Sequence, residues 1–249
     1  WGHGKPTHPF LYEIIDRNRN EYRDTLESFV HLQEYFCNIP IRTDDKESAE
    51  WSNVYFSPLD SLVLYSLVTL GKPRTYFEIG SGNSTKFVRR AINDHQLSTR
   101  IISVDPTPRV EIDDICDEVI RAPLDEVGLE HFLELESGDV LFLDGSHCCF
   151  MNSDVTIFFV DILPRLKPGI LVHIHDVTLP NDYPVDYHWS EQYLLAAYLL
   201  ARGKIFDIVF ANYFVRNDKE LSSILNDTWV SIGLEPGNTG GLSFWIKTK

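Results

Sequence analysis

The sequence predicts an α/β fold in which a parallel sheet is flanked by crossover helices. From residue 74 onward, short apolar runs alternate with longer amphipathic segments, which is the pattern of successive β-α-β units. A glycine turn directly follows the first of these apolar runs. The length of 249 residues suits one domain with an appendage or two small domains.

The segment before the sheet is predicted to be helical. Residues 1–50 are polar and charged, and apolar side chains recur at helical spacing between Tyr22 and Val30. Residues 58–70 carry apolar groups on several helical faces. Pro58 near the start and Gly71 just past the end are typical of helix termini. We therefore expect a buried helix that leads into the sheet.

Seven strands and four intervening helices are predicted in the α/β part. The strands are residues 75–80, 100–105, 117–121, 139–144, 169–175, 205–210 and 242–247. The helices are residues 84–95, 125–136, 152–165 and 188–203, followed after Asn212 by a short helical stretch. The third helix ends before Pro168 and Gly169, which stop a helix. The sequence contains no internal repeat and no linker long enough to separate two domains.

The composition indicates a soluble globular protein that avoids polyanions. Hydrophobic residues make up 43% of the chain and charged residues 24%, close to the globular average. The net charge is −15, and so negative a surface repels phosphate backbones and anionic headgroups. We therefore expect neither nucleic acid nor a membrane as a partner.

The cysteines suggest a cytoplasmic location. Cys37, Cys116, Cys148 and Cys149 form no CxxC pair, so we expect reduced thiols. The longest apolar stretches, such as residues 62–70, fall short of the roughly 20 residues that span a bilayer. The chain starts with neither methionine nor the apolar core of a signal peptide, so we expect a processed chain or a fragment.

The segment EIGSGNST, residues 78–85, predicts a ligand-binding turn. Glycines let the backbone approach a ligand closely, and free N–H groups at a helix start favour a polar or anionic partner. A dinucleotide fingerprint has Gly or Ala where this chain has Thr85, which disfavours NAD. A tight turn without a ligand is the alternative interpretation.

Asp105 ends the second predicted strand and is a candidate ribose ligand. It follows Gly82 by about 20 residues, the spacing at which a carboxylate binds ribose hydroxyls in such folds. Taken alone, it could equally cap the turn before Pro106. The glycine turn and Asp105, at this spacing, together favour a nucleoside site.

Four motifs in order resemble the class I S-adenosylmethionine-dependent methyltransferases. They are EIGSGNST (78–85), SVDPTPR (103–109), GDVLFLDGSH (138–147) and LPRLKPGILVHIHDV (163–177). The resemblance is to a bacterial branch in which the fourth strand ends with Asp-Gly-Ser-His and the fifth with His-Asp. It extends over residues 51–247, including WSNVYFSPLD before the sheet and GGLSFWIK at its end.

The resemblance implies a Rossmann-like sheet of seven strands in the order 3-2-1-4-5-7-6, with the last strand antiparallel and helices on both sides. It divides the chain into an N-terminal helical extension, residues 1–70, and an S-adenosylmethionine-binding methyltransferase domain, residues 71–249. The sequence predicts no oligomeric state.

The resemblance also implies a set of cofactor-binding residues. They are Glu78, Gly80, Ser81, Gly82, Ser84, Asp105 and Asp144. The side chain of Glu78 and the backbone of the glycine turn would cradle the methionine part of the cofactor. Asp105 would hold the ribose, Asp125 or its neighbours would lie near the adenine, and Asp144 would face the sulfonium.

A second group of polar residues follows the fourth and fifth strands, whose carboxyl ends we expect to be adjacent. It contains Asp144, His147, His175 and Asp176. Methyl transfer requires alignment of the acceptor and removal of its proton, and a histidine with a pKa near 6.5 suits the role of base. We propose His147, His175 and Asp176 as catalytic candidates. A structural role is the alternative for each histidine, and His173 is expected in the core.

A divalent cation is an alternative to a histidine base, because carboxylates and imidazole bind metals and a bound metal acidifies a hydroxyl. Metal-dependent catechol-type relatives carry an Asp-Asn pair where this chain has His175 and Asp176. The metal ligands therefore remain unassigned.

The acceptor is expected to be a small molecule. The fourth strand is followed neither by the Asn/Asp-Pro-Pro-aromatic motif of nucleobase amino-methylation nor by a Pro-Cys nucleophile. An aromatic group near Tyr183, Tyr187, His188 and Trp189 would either line an acceptor pocket or pack under a loop.

The sequence thus favours an S-adenosylmethionine-dependent methyltransferase acting on an oxygen of a sugar or secondary metabolite. Three alternatives remain. They are a cofactor-binding protein without transferase activity, a nicotinamide oxidoreductase, and an aminopropyltransferase whose cationic acceptor would suit the charge of −15.

Overall fold

The computed structural model describes residues 1–201 and 203–249, and the predicted α/β fold is confirmed. The strands are β1 (Thr75–Ile79), β2 (Arg100–Val104), β3 (Glu118–Ile120), β4 (Val140–Leu143), β5 (Leu171–Ile174), β6 (Phe206–Ala211) and β7 (Phe244–Thr248). They form one sheet in the order β3-β2-β1-β4-β5-β7-β6. Neighbours from β3 to β5 are parallel, whereas β7 runs antiparallel to β5 and β6. The strand order implied by the resemblance is confirmed.

Helices precede the sheet and connect its strands. They are α1 (Pro9–Asp16), α2 (Arg19–Val30), α3 (Gln33–Cys37), α4 (Pro58–Gly71), α5 (Asn83–His95), α6 (Glu130–Leu133), α7 (Asp154–Ile157), α8 (Glu191–Leu200), α9 (Asn212–Asn217), α10 (Lys219–Ser223) and α11 (Asn226–Ile232). The buried helix predicted at residues 58–70 is α4, with Pro58 in its first turn. After Gly71 the chain turns through Lys72 in the left-handed region, with φ of 47°.

The helix predicted at residues 125–136 is wrong as a continuous element. A 3₁₀ turn at Leu124–Glu126 is followed by an extended Val127, and the short α6 begins only at Glu130. Gly128 lies in this interruption, and glycine is a poor residue inside a helix. The low helix preference of Gly128 therefore outweighs the apolar spacing that suggested one continuous helix.

The helices predicted at residues 152–165 and 188–203 are present, but each contains a shorter α-helix than predicted. After α7, the segment continues as a π-helical turn at Phe158–Ile162 and a 3₁₀ turn at Leu163–Arg165, which contains Pro164. Proline removes a backbone donor and widens or ends a helix. The helix predicted at 188–203 is the shorter α8, and residue 202 lies outside the described residues.

The N-terminal helices and the sheet share one hydrophobic core. Tyr22 in α2 packs edge-on against Phe210 in β6, with ring centroids 5.5 Å apart. The amide of Asn18 donates to the carbonyl of Ile208 in the same strand at 2.8 Å. In the described part of the chain no helix combines the length and apolarity needed to cross a membrane. All four cysteines are unpaired thiols.

Backbone hydrogen bonds continue past the ends of three strands and align the residues that follow them. The N–H of Gly80 donates to the carbonyl of Val104, and the N–H of Asp144 donates to that of Ile79, both at 2.9 Å. The N–H of His175 donates to the carbonyl of Leu143, also at 2.9 Å. The loops after β1, β2, β4 and β5 therefore meet at one edge of the sheet.

Candidate active site

A cavity of about 410 Å³ opens at this edge of the sheet. Among the residues expected to bind the cofactor, six line it: Gly80, Ser81, Gly82, Ser84, Asp105 and Asp144. Asp125, expected near the adenine, lines it as well, together with Leu124. The volume lies in the range of small-molecule sites, which supports a bound ligand here.

The two glycines of the turn serve different purposes. Gly80 has φ of +79°, and a Cβ at this position would lie 1.8 Å from the carbonyl oxygen of Asp144. No side chain fits there, because the backbones after β1 and β4 nearly touch. Gly82 is extended, with φ of 174°, and a Cβ there would meet no atom within 4 Å. Gly82 therefore leaves open space on the cavity wall that a ligand can occupy.

Glu78 lies behind this wall and does not line the cavity. It is fully buried, and its carboxylate accepts hydrogen bonds from the hydroxyls of Tyr76 at 2.9 Å and Ser84 at 2.5 Å, and from that of Thr85. Burial raises the pKa of Glu78 to about 7, although the hydroxyl donors partly offset the effect. Glu78 thus ties β1 to the first turn of α5, and any influence on a ligand passes through that turn.

Asp105 joins the glycine turn to the loop after β2. Its Oδ2 accepts the N–H of Ser81 at 3.0 Å, and its Oδ1 accepts the N–H of Thr107 at 2.8 Å. Each carboxylate oxygen has a second lone pair, so two ligand hydroxyls can still be accepted. The hydroxyl of Ser81 is bound to that of Ser103 at 2.8 Å and is turned toward β2.

The segment before α4 closes one side of the cavity through Tyr55 and Phe56. Asn53 fixes this segment, because its Oδ1 accepts the N–H of Phe56 at 2.8 Å and the amide of Asn83 at 3.1 Å. The guanidinium of Arg109, from the loop after β2, lies 5.5 Å from the centroid of the Tyr55 ring. Sequence reasoning assigned no site residue here, since nothing in the segment shows that it folds back over the glycine turn.

His147 lies at the centre of a group of carboxylates beside Asp144. Its Nε2 is 3.4 Å from Oδ1 of Asp144 and 3.3 Å from Oδ2 of Asp176. Its Nδ1 is 2.6 Å from Oε1 of Glu191. Burial alone would lower the pKa of His147, but the hydrogen bonds to Asp144 and Glu191 outweigh burial and raise the pKa to about 11. The surrounding carboxylates therefore favour the protonated form of the ring, which makes His147 a poor base.

The carboxylates around His147 differ in basicity. Burial raises the pKa of Asp176, although the nearby His175 and His147 partly oppose the increase. Burial also favours a higher pKa for Asp144, but His175 and His147 reverse this and hold the pKa below its usual value. Asp176 is therefore the stronger proton acceptor of the two.

None of the three catalytic candidates, His147, His175 and Asp176, lines the cavity itself, and His175 lies deeper than His147. Its side chain is buried against Phe56, with ring centroids 5.2 Å apart, and its Nδ1 is 3.4 Å from the hydroxyl of Ser243 in the chain before β7. Its Nε2 is 3.7 Å from Oδ1 of Asp176. The structure therefore brings His175 to Asp176 rather than to the cavity. His173 is buried in the core, stacked on Phe142.

The aromatic residues after β5 pack mainly on one another. The rings of Tyr187 and Trp189 are 4.2 Å apart, and Tyr183 is buried beside both. Trp189 also lies 4.6 Å from the ring of His147. These residues thus cover the carboxylate group from outside.

A metal could be held by the same side chains. Asp144, His147 and Asp176 offer ligand atoms that all lie within 4.8 Å of one another. Carboxylate and imidazole suit several divalent metals, so the donor set fits such an ion.

Glu191 was not among the candidates from sequence. It is the first residue of α8, where an acidic residue is common because it complements the helix dipole. Its relation to His147 arises from two segments 44 residues apart, and no local pattern signals it.

Comparison with known proteins finds a methyltransferase domain in this chain. Residues 77–177 match a family model described as a methyltransferase domain. No protein of established function matches the chain significantly in sequence.

Solved structures with a similar fold include the precorrin-6y C5,15-methyltransferase of Geobacter metallireducens, at 16% identity and a TM-score of 0.48 over 85% of this chain and 98% of that one. The SAH-bound methyltransferase of Podospora anserina is 15% identical, with a TM-score of 0.45 over 98% and 99% of the two chains. The plantazolicin methyltransferase in complex with SAH is 12% identical, with a TM-score of 0.43 over 96% and 99%.

The matched segment contains the glycine turn after β1 and the carboxylate of Asp105 after β2. S-adenosylmethionine is the cofactor of the class I methyltransferases. The family match places a methyltransferase domain at residues 77–177 of this chain, and the strand order is that of the Rossmann-like methyltransferase fold.

Proposed function

We propose that this enzyme methylates a small molecule at a hydroxyl oxygen. The observation that carries the proposal is the ring of His147, whose Nε2 lies 3.4 Å from Asp144 and 3.3 Å from Asp176 beside the cavity. Bound S-adenosylmethionine supplies a methyl group, which the acceptor oxygen takes as the carbon–sulfur bond breaks and its electron pair stays on sulfur. The protein must align the acceptor and receive the hydroxyl proton.

The backbone of Gly80 and Gly82 and the first turn of α5 hold the methionine part of the cofactor in this proposal. Asp105 accepts the ribose hydroxyls with the lone pairs left free by Ser81 and Thr107. Asp144, which lines the cavity, faces the sulfonium, where its negative charge is favourable.

Asp176 receives the acceptor proton. Its burial raises its pKa, and a base is most effective when its pKa approaches the working pH. The imidazolium of His147 balances the charge of the two carboxylates and donates from Nε2 between them. His175 acts through Asp176, against which its Nε2 lies at 3.7 Å.

A small acceptor is supported by the covering of the cavity and by charge. The segment that contains Tyr55 and Phe56 closes one wall, which leaves little room for a folded macromolecule. The net charge of −15 disfavours nucleic acid. Sugars and hydroxylated secondary metabolites are the acceptor classes that we propose.

The test uses the full chain, methyl-labelled S-adenosylmethionine and a panel of sugars and phenols. Transfer is measured as label incorporation and as the mass of one added methyl group. We expect an O-methylated product with the unaltered chain and with the control D114N, a substitution of an exposed residue in the 3₁₀ turn Asp113–Ile115. We expect loss of transfer in D176N with unchanged binding of S-adenosylhomocysteine. Asn tolerates the left-handed φ of +55° at this position.

Three results would contradict the proposal. They are transfer by D176N at the normal rate, methylation only at nitrogen or on a protein, and aminopropyl transfer from the decarboxylated cofactor in place of methyl transfer. The assay is repeated with a chelator and with added magnesium. If transfer persists in chelator, the positive charge between Asp144 and Asp176 is that of His147. If transfer is lost in chelator and restored by magnesium, that charge is a metal ion.

A further inference from the structure

The ring of His147 has a partner outside the segment that matches the family model. Glu191 lies at the start of α8, and its side chain is fully buried. Its Oε1 is 2.6 Å from Nδ1 of His147, and its Oε2 has no hydrogen-bond partner among the described residues. A buried carboxylate is costly unless it is paired, so this contact must compensate for the burial.

Two further hydrogen bonds connect the loop after β4, which contains His147, to the residue that precedes α8. The N–H of Ser190 donates to the carbonyl of His147 at 2.7 Å, and the N–H of Cys149 donates to the hydroxyl of Ser190 at 2.6 Å. His147 itself has φ of +59°, a conformation that the surrounding contacts must maintain. The loop after β4 and the start of α8 therefore form one unit.

The remaining sides of the ring are also fixed. Trp189 lies 4.6 Å from it, and Nε2 faces Asp144 and Asp176. A half-turn of the ring about its Cβ–Cγ bond would place Cδ2 where Nδ1 lies and Cε1 where Nε2 lies. It would therefore break the 2.6 Å contact between Nδ1 and Glu191, which is shorter than either contact of Nε2 with Asp144 and Asp176.

We propose that Glu191 is a positioning residue that holds Nδ1 of His147, so that Nε2 is directed at Asp144 and Asp176. The consequence for turnover rests on the proposed function, whereas the geometry of the ring does not. A carboxylate that binds the far nitrogen of a histidine fixes the direction of the ring.

Two substitutions separate orientation from charge. E191Q keeps an oxygen that can accept from Nδ1 but removes the negative charge, whereas E191A removes both. The matched control is E21Q, because Glu21 is an exposed glutamate in the first turn of α2. Binding of S-adenosylhomocysteine reports whether each variant keeps the cofactor cavity.

The measurement is the imidazole ¹⁵N–¹H spectrum of the full chain at pH 7 in the presence of a chelator. Signals of His147 are identified by their loss in H147N, since Asn also tolerates positive φ. We expect a protonated Nδ1 with a strongly downfield proton signal in the unaltered chain and in E21Q. We expect this proton signal to weaken in E191Q and to vanish in E191A.

The proposal is overturned if the unaltered chain lacks a hydrogen-bonded Nδ1 proton at His147, a result that needs no variant to fold. It is also overturned if E191A keeps that signal. With an acceptor in hand, kcat of E191A should fall at least about tenfold while KM for S-adenosylmethionine stays constant. A normal spectrum without any methyl transfer would reject the proposed function and leave the role of Glu191 in orienting the ring intact.

Discussion

Asp105 holds Ser81 in place: its Oδ2 accepts the Ser81 N–H at 3.0 Å, which connects the end of β2 to the turn after β1. The same carboxylate lines the cavity. One side chain therefore shapes the glycine turn and offers lone pairs to a ligand. Removing the carboxylate of Asp105 should therefore weaken ligand binding in two ways. The ligand loses a hydrogen-bond acceptor, and the glycine turn loses the contact that orders it.

Replacing Asp105 by Ala should weaken binding of S-adenosylhomocysteine at least tenfold, or about 1.4 kcal/mol. Titration calorimetry measures the change. D114A, on the same connection between β2 and β3 but exposed, should bind like the unaltered chain. Equal affinities for D105A and D114A would contradict the assignment of Asp105 to the ribose.

Replacing Gly80 by Ala should lower the free energy of unfolding by about 3 kcal/mol, because positive φ and contact with the Asp144 carbonyl act together. Gly138 is the matched control. It has φ of +92°, and a Cβ added there would meet no atom within 4 Å, so G138A should cost only about 1 kcal/mol. Urea unfolding of both variants checks the difference, and equal losses would show that the contact with Asp144 is unimportant.

The buried Glu78 should make stability depend on pH near neutrality. Its pKa is about 7 in the folded chain against 4.5 for an ordinary glutamate, so the folded state binds the proton more tightly. Its contribution is therefore full below pH 4.5 and is lost as the pH rises through about 7. E78Q cannot titrate, so the stability of the unaltered chain relative to E78Q should fall across this interval. Urea unfolding at several pH values tests this, and a constant difference would refute it.

The sheet could be predicted because strands and turns are specified locally. The apolar run before EIGSGNST and the alternation that follows give β1, α5 and β2 nearly residue for residue. The strand order came from the family resemblance, since β7 pairs with strands far away in sequence. The predicted helix at 125–136 failed because a single glycine interrupts the segment.

Only those site residues that directly follow a strand could be predicted from the sequence. Gly80, Asp105 and Asp144 follow strands, so their meeting at one edge could be expected. Glu78 lies two residues before Gly80 yet faces the other way, toward hydroxyls of α5. Glu191 comes from a helix start, and its contact with His147 depends on the path of a loop that carries no pattern.

The position of β7 has a consequence for synthesis of the chain. Phe244–Thr248 leaves the ribosome after β5 and β6, yet it lies between them. Until it emerges, β5 and β6 have no partner on the sides that later face β7, and such edges invite pairing with other chains. The sheet therefore stays incomplete until β7 pairs with both strands, and a nascent chain halted before residue 244 would be prone to aggregation.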